Sequence, residues 1–227
     1  VTVRRVDFGW FVRPAAETGT GEARVEPCLG YLVAHPDGVV LLDTGMGSEA
    51  EVDAHYRPRR VSLTDALSAV DARVDEVDLV VNCHLHFDHC GGNPVLAGRP
   101  VFVQRTELAD ARRTADYTLP ELLDAPGLTY EELDGEAEIL PGVHIVPTPG
   151  HTAGHQSLVV RRPDGAVVVA GQAEDTASAF AAAVLARRAE RIGHPPPLPP
   201  WAAWLERLQA FDPREVVFAH DHAVWRP

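Results

Sequence analysis

There is no lysine in this chain. All 20 basic residues among its 227 are arginine, so no side-chain amine is present to form a Schiff base. Any cationic clamp on a substrate carboxylate must be a guanidinium. Cysteine is scarce as well. Cys28, Cys83 and Cys90 are an odd set without CxxC spacing, which reads as small buried thiols in a reducing compartment. No apolar run approaches the roughly 18 residues that a membrane helix needs. Val1–Trp10 mixes Arg and Asp with apolar residues, unlike a signal-peptide core. A cytoplasmic protein with no membrane partner is therefore expected. Basic charge is in deficit, 20 residues against 33 acidic ones, for a formal net charge of −13. Such a surface repels phosphate backbones and argues against nucleic acid as a partner.

What remains is a globular composition, 45% hydrophobic and 23% charged, at a length suited to one domain (1–227) with a substantial core. Val3–Val12 alternates as a strand, and Ala15–Glu26, with its Thr-Gly-Thr-Gly, reads as a hairpin loop bordering the site. Cys28–Ala34 and Val39–Leu42 are strands around the turn Pro36-Asp37-Gly38. Ser62–Arg73 is helical, with Ser62 and Asp65 for capping and Leu63, Ala66, Leu67 and Val70 on one face. Asp78–Cys83 and Val101–Val103 read as strands, and Thr106 opens a helix to about Arg113. Val143–Val146, Ser157–Val160, Ala166–Ala170 and Glu215–Phe218 are further strands. Thr176–Ile192 and Trp201–Phe211 are helices joined by a stiff proline-rich connector. Strands and helices recur in two halves, roughly 1–115 and 116–227.

The chemistry concentrates in His84-Leu85-His86-Phe87-Asp88-His89. Three imidazoles and a carboxylate within six residues suit one or two transition-metal ions, Zn²⁺ above all, with iron and manganese compatible. The run follows the apolar strand Asp78–Cys83 and is ended by Gly91-Gly92-Asn93-Pro94. Two more histidines follow strands: His151 in Pro-Gly-His-Thr, and His220 in Ala-His-Asp-His. Ligands from distant positions can thus converge at one sheet edge.

With Asp43-Thr44-Gly45 after Val39–Leu42, these pieces, in this order, resemble the metallo-β-lactamase superfamily over nearly the whole chain. The resemblance implies an αββα four-layer sandwich of the α/β class. It also implies that His84, His86 and His151 hold a first metal, that Asp88, His89 and His220 hold a second, and that Asp43 orients a ligand from behind. His155 is expected to support the His151 loop by hydrogen bonding. His222, His35, His55, His144 and His194 are expected to be ordinary residues.

One position departs. The family's bridging aspartate, expected after Ala166–Ala170, is Gln172 here, and a neutral amide is a poor bridge. Two like-charged ions would then be less compensated, so the second should bind more weakly. Three outcomes follow: one working ion, replacement of the carboxylate by Glu174 or Asp175, or loss of the chemistry.

The layout resembles the small quorum-signal lactonase-like branch most, although those enzymes often carry tyrosine where this chain has Asp175. Penicillin-hydrolysing relatives often use a lysine that is lacking here. The function implied is metal-dependent hydrolysis of a lactone, ester or thioester, with Asp88 as the catalytic carboxylate that orients water and passes on its proton. Two alternatives are a mononuclear iron sulfur dioxygenase-like oxidoreductase and a non-catalytic metal- or metabolite-binding relative. Trp10, Phe11, Phe87, Phe180 and Leu185 are expected to offer an apolar pocket wall, favouring a small apolar or aromatic acyl substrate. No oligomeric state is read from the sequence.

Overall fold

The computed structural model describes all 227 residues. In chain order its regular elements begin with β1 (Thr2–Arg13), β2 (Arg24–His35), β3 (Gly38–Leu42), α1 (Ala50–Tyr56), β4 (Arg59–Arg60) and α2 (Leu63–Ser68). Next come β5 (Leu79–Val81), β6 (Pro100–Gln104), α3 (Arg105–Arg113), α4 (Pro120–Leu123), β7 (Thr129–Leu133) and β8 (Ala137–Leu140). The chain finishes with β9 (Val143–Pro147), β10 (Gln156–Val160), β11 (Ala166–Val169), α5 (Ala177–Arg191), α6 (Trp204–Gln209) and β12 (Pro213–Val217).

Seven strands form one sheet in the order β4-β1-β2-β3-β5-β6-β7, and five form another, β12-β11-β10-β9-β8. The boundary between sheets falls between Leu133 and Ala137. Neighbours from β3 to β7 run parallel, with a helix in two of the crossovers, whereas β8 to β11 are antiparallel.

Alternation along the strands sorts side chains into three apolar layers. Val40, Leu42, Val81, Leu158, Val160, Val169 and Val217 meet between the sheets. Their neighbours Leu41 and Val80 face outward onto Leu63, Leu67, Leu108 and Ala111 of α2 and α3. On the far side Val159, Val168 and Val216 face Phe180 of α5 and Trp204, Leu205 and Leu208 of α6. Both faces of both sheets are covered, as the four-layer expectation requires. The central strands are then apolar at nearly every position, which is why a run such as Ala166–Val169 reads as continuous rather than alternating.

Several boundaries differ from the sequence reading. The helix after Ser62 stops at Ser68, because Asp71 turns left-handed (φ 53°) and Ala72 N–H returns to the Leu67 carbonyl at 3.0 Å. Helix α6 begins at Trp204 rather than Trp201. Helix α1 and strands β4 and β8 were not foreseen; each is short and carries a weak period. No helix is long and apolar enough to cross a membrane.

Candidate metal centre

Backbone hydrogen bonds tie strand ends from the two sheets together at one edge. Gln156 N–H at the start of β10 donates to the Cys83 carbonyl after β5 at 2.8 Å. Leu29 N–H in β2 donates to the Ala219 carbonyl, and Ala219 N–H donates to the Gly171 carbonyl, each at 2.9 Å. The loops bearing His84–His89, His151, Gln172 and His220 are therefore gathered by main-chain contacts before any side chain acts.

The His84–His89 turn packs against the loop after β3. Gly47 N–H donates to the Phe87 carbonyl, and Thr44 N–H to that of His89, at 2.7 and 2.8 Å. Gly91 must be glycine, since a Cβ there would lie 2.1 Å from the backbone of Met46 and Gly47. Beneath the turn, Asn82 Nδ2 donates to the His89 carbonyl and Asn93 to Asn82, both at 2.8 Å.

Four groups of ligand-type side chains result; two join Cys83 to His84 and His155 and to Asp43 and His89, and the other two hold the six residues named from the sequence. In the first of these latter two, His86 Nδ1 lies 3.0 Å from His84 Nε2 and 3.2 Å from His151 Nε2. In the second, Asp88 Oδ2 lies 3.5 Å from both His89 Nε2 and His220 Nε2. The atoms within each group lie no more than 4.8 Å apart. All six residues named from the sequence thus meet, in the partition the resemblance implied.

In the second group two ring nitrogens face each other. His89 Nδ1–H donates to Asp43 Oδ2 at 2.9 Å, and His220 Nδ1–H donates to the Pro27 carbonyl at 2.9 Å. A neutral ring in either position would then carry its proton on Nδ1 and leave Nε2 free. Yet the two Nε2 atoms face one another at 3.2 Å. Nitrogens so directed call for a proton or a metal cation between or beside them: a protonated His89 would donate to His220, and a divalent metal, which the donor set suits, would take both.

Electrostatics agrees. Burial drives His84 well below the ordinary histidine range, helped by the neighbouring rings of His89, His86 and His151. Loss of contact with bulk water brings the buried His220, the half-buried His86 and the His151 ring, exposed at the cleft mouth, down to about 4. These rings stay neutral, with lone pairs free for a metal. For Asp88, burial pushes upward, but His89, His220 and His86 outweigh it and hold the carboxyl at about 2. His89 is raised: Asp88 and Asp43 together overcome its burial.

Asp43 takes the supporting place expected of it, accepting Cys83 N–H at 2.8 Å as well as His89. His155 does too. It is fully buried, its Nε2 accepts Gln172 N–H at 3.0 Å, and its Nδ1 faces Thr148, so it is committed away from the centre. Asp221 caps α5, accepting Ala177 N–H at 2.9 Å.

Gln172 is buried, and its amide donates to Asp175 at 3.2 Å. Asp175 is in turn paired with Arg24 at 3.0 Å, and Arg24 with the buried Glu26. Neither Glu174 nor Asp175 joins either ligand group.

A cleft of about 760 Å³ opens over His86, Asp88 and His151. Phe11, Phe87 and Tyr56 build an aromatic wall, with Tyr56 stacked on Phe87 at 5.0 Å. Phe11 and Phe87 were expected there. Trp10, Phe180 and Leu185 were not correctly placed by that expectation. Phe180 is fully buried under the second sheet against Phe218, Leu185 is 62% exposed, and Trp10 points to another face. Adjacent strand residues alternate sides, so Trp10 and Phe11 cannot share a wall. His55 was read as ordinary, but it lines the cleft and contacts Glu17 at 2.7 Å. Arg13 is the one guanidinium in the lining, held by Glu26 at 2.8 Å. Glu107 and Tyr117, beside the first group, were also missed; neither belongs to a ligand-type motif.

Known proteins resemble this chain in both sequence and fold. The profile of the metallo-beta-lactamase superfamily matches residues 23–220. The chain belongs to that superfamily. An N-acyl homoserine lactonase of Bacillus thuringiensis is 33% identical over 168 residues, covering 68% of this chain and 66% of the relative. The matched stretch is thus just under two thirds of that relative's length. A solved N-acyl homoserine lactone hydrolase, with its product N-hexanoyl-L-homoserine at the catalytic metal centre, superposes with a TM-score of 0.72. It is 23% identical, and the match covers 97% of this chain and 93% of that one. AidC, a dizinc quorum-quenching lactonase, superposes at TM-score 0.66 with 14% identity, covering 96% and 86%. These structures share the fold.

Proposed function

We propose that this chain is a metal-dependent hydrolase of a carboxylic acid derivative, a lactone first and an ester or thioester next. The observation that carries this is the meeting of His84, His86 and His151, as neutral imidazoles, with the ionised Asp88 and the facing nitrogens of His89 and His220. Lactonase relatives over a large part of the chain support the choice of bond.

His84, His86 and His151 would hold a divalent ion, zinc by preference of its donors, and Asp88, His89 and His220 a second, weaker one. A divalent ion held there would supply Lewis acidity and make hydroxide available near neutral pH. Asp88 is the catalytic carboxylate: ionised and facing the cleft, it orients the attacking water, accepts its proton and returns it to the leaving group. The aromatic wall receives an apolar acyl chain. Glu17, Glu49, Glu51, Asp116 and Glu121 give the lining a negative charge, which disfavours anionic substrates and helps expel the carboxylate product.

Tyr117 cannot take over the part of the tyrosine absent at position 175, because its hydroxyl donates to Glu107 at 2.6 Å. Proton return therefore rests on Asp88. A panel of acyl homoserine lactones, aryl esters and acyl thioesters, run with Zn²⁺, Mn²⁺ or Fe²⁺ added back, tests the proposal. Hydrolysis of a neutral lactone is the expected result; no turnover of any of the three bond types under any metal would sink it.

A further inference from the structure

Glu107, in the first turn of α3, is 1% exposed. Its carboxylate receives three hydrogen bonds, and none of the donors is charged. Oε1 accepts Leu85 N–H at 2.8 Å and the Tyr117 hydroxyl at 2.6 Å, while Oε2 accepts the Thr152 hydroxyl at 2.7 Å. Burying a carboxylate with no cationic partner is unfavourable, so its identity needs a reason.

The partners supply one. Leu85 lies between His84 and His86 on the loop after β5, in the first sheet. Thr152 follows His151 on the loop between β9 and β10, in the second. The Tyr117 ring lies 4.8 Å from the His86 ring. One side chain therefore holds residues adjoining all three members of the first ligand group, across the two sheets. The His151 loop is seated directly on this turn: a Cβ at Gly154 would lie 2.3 Å from Glu107 N.

Charge points the same way. His84, His86 and His151 carry none when they bind a metal, Asp88 belongs to the other group, and position 172 is an amide. Coulomb attraction falls only as the inverse of distance and persists where water is excluded.

We propose that Glu107 is a positioning residue for the metal triad, fixing the His84–His86 turn against the His151 loop and supplying negative charge behind three neutral imidazoles. This rests on the metal-site reading above.

The test is zinc affinity by chelator competition, together with the visible spectrum of the Co²⁺-loaded protein. Neither readout needs a substrate. Glu107→Gln keeps the volume and removes the charge; it should hold Zn²⁺ roughly 10- to 100-fold more weakly and move the Co²⁺ bands. Thr152→Val keeps the charge and cuts the tie to the His151 loop, for a loss of about 3- to 10-fold. The double variant should lose less than the product of the two, because both act through one contact. Zinc affinities within about twofold of the parent and an unchanged Co²⁺ spectrum in both variants would overturn the inference. Should Glu107→Gln fail to fold, Thr152→Val decides by the same two readouts. A parent chain that binds no zinc removes the metal reading and this inference with it, whereas a zinc-binding chain inactive on every lactone removes only the choice of substrate.

Discussion

The side-chain amide of Gln172 donates to Asp175 at 3.2 Å, while Arg24 holds the other oxygen of that carboxylate at 3.0 Å. Asp175 is thereby committed to a guanidinium, which in turn is anchored on the buried Glu26. Swinging it toward a metal would break a charged pair, so this arrangement favours an unequal centre over a repaired one. Restoring the carboxylate should change that. Gln172→Asp is expected to raise tightly held zinc from about one ion per chain to about two, since it returns the missing negative charge between the groups. Elemental analysis after extensive dialysis checks it, and an unchanged count would count against the role given to position 172.

Asp88 faces both His89 and His220 and stays ionised to about pH 2. Asp88→Asn keeps the shape and removes the proton acceptor. Turnover on a confirmed lactone should fall on the order of 10²- to 10⁴-fold, with KM little changed. His86→Ala should abolish turnover through loss of the ion, visible as loss of bound metal, whereas Asp88→Asn should leave the first ion in place.

Acid should loosen the metal-free protein. Desolvation holds the buried His220 at about 4 in the fold, and the half-buried His86 and exposed His151 near the same value, against roughly 6.5 in the unfolded chain. The stability they contribute is full above pH 6.5. It falls as pH drops toward 4, because the unfolded chain then takes up protons that the fold refuses. For the buried His220 alone, the loss between pH 6.5 and 5 is on the order of 2 kcal/mol, or roughly 4–8 °C in Tm for a chain of this size. His89, raised by Asp88 and Asp43 despite burial, works in the opposite sense and moderates the decline. Thermal melts of the chelated protein at pH 7 and pH 5 measure the net effect, and a higher Tm at pH 5 would contradict it.

Phe180 and Leu185 separate core from cleft. Phe180 is fully buried against Phe218 and Trp225, so Phe180→Ala should cost about 3–5 kcal/mol in chemical denaturation. Leu185 is 62% exposed, and Leu185→Ala should stay within about 0.5 kcal/mol and leave turnover unchanged. Lost activity in Leu185→Ala would mean that α5 reaches the substrate after all.

The six residues that meet at the candidate centre were legible because four of them lie within six positions, and each of the others sits in a short setting, Pro-Gly-His-Thr or Ala-His-Asp, just after an apolar run. The four layers came from the family resemblance that these motifs carry, while the apolar runs gave the individual strands. Glu107 was not legible. A glutamate in a helix's first turn ordinarily reads as a favourable exposed charge, and only the three-dimensional meeting of Leu85, Tyr117 and Thr152 gives it an interior place. Helix spacing put Phe180 and Leu185 near one stripe, yet which stripe meets the sheet is set by tertiary packing. Tyr56 and His55 came to the cleft on α1, a seven-residue helix with no buried side chain and hence no apolar period to read.

The most direct test of the account is to strip the purified chain with a chelator and titrate Zn²⁺ back while following hydrolysis of a neutral acyl lactone. Activity should vanish on stripping and return in proportion to the first equivalent bound, with little further gain from a second. Hydrolysis that persists in the demonstrably metal-free protein would contradict it.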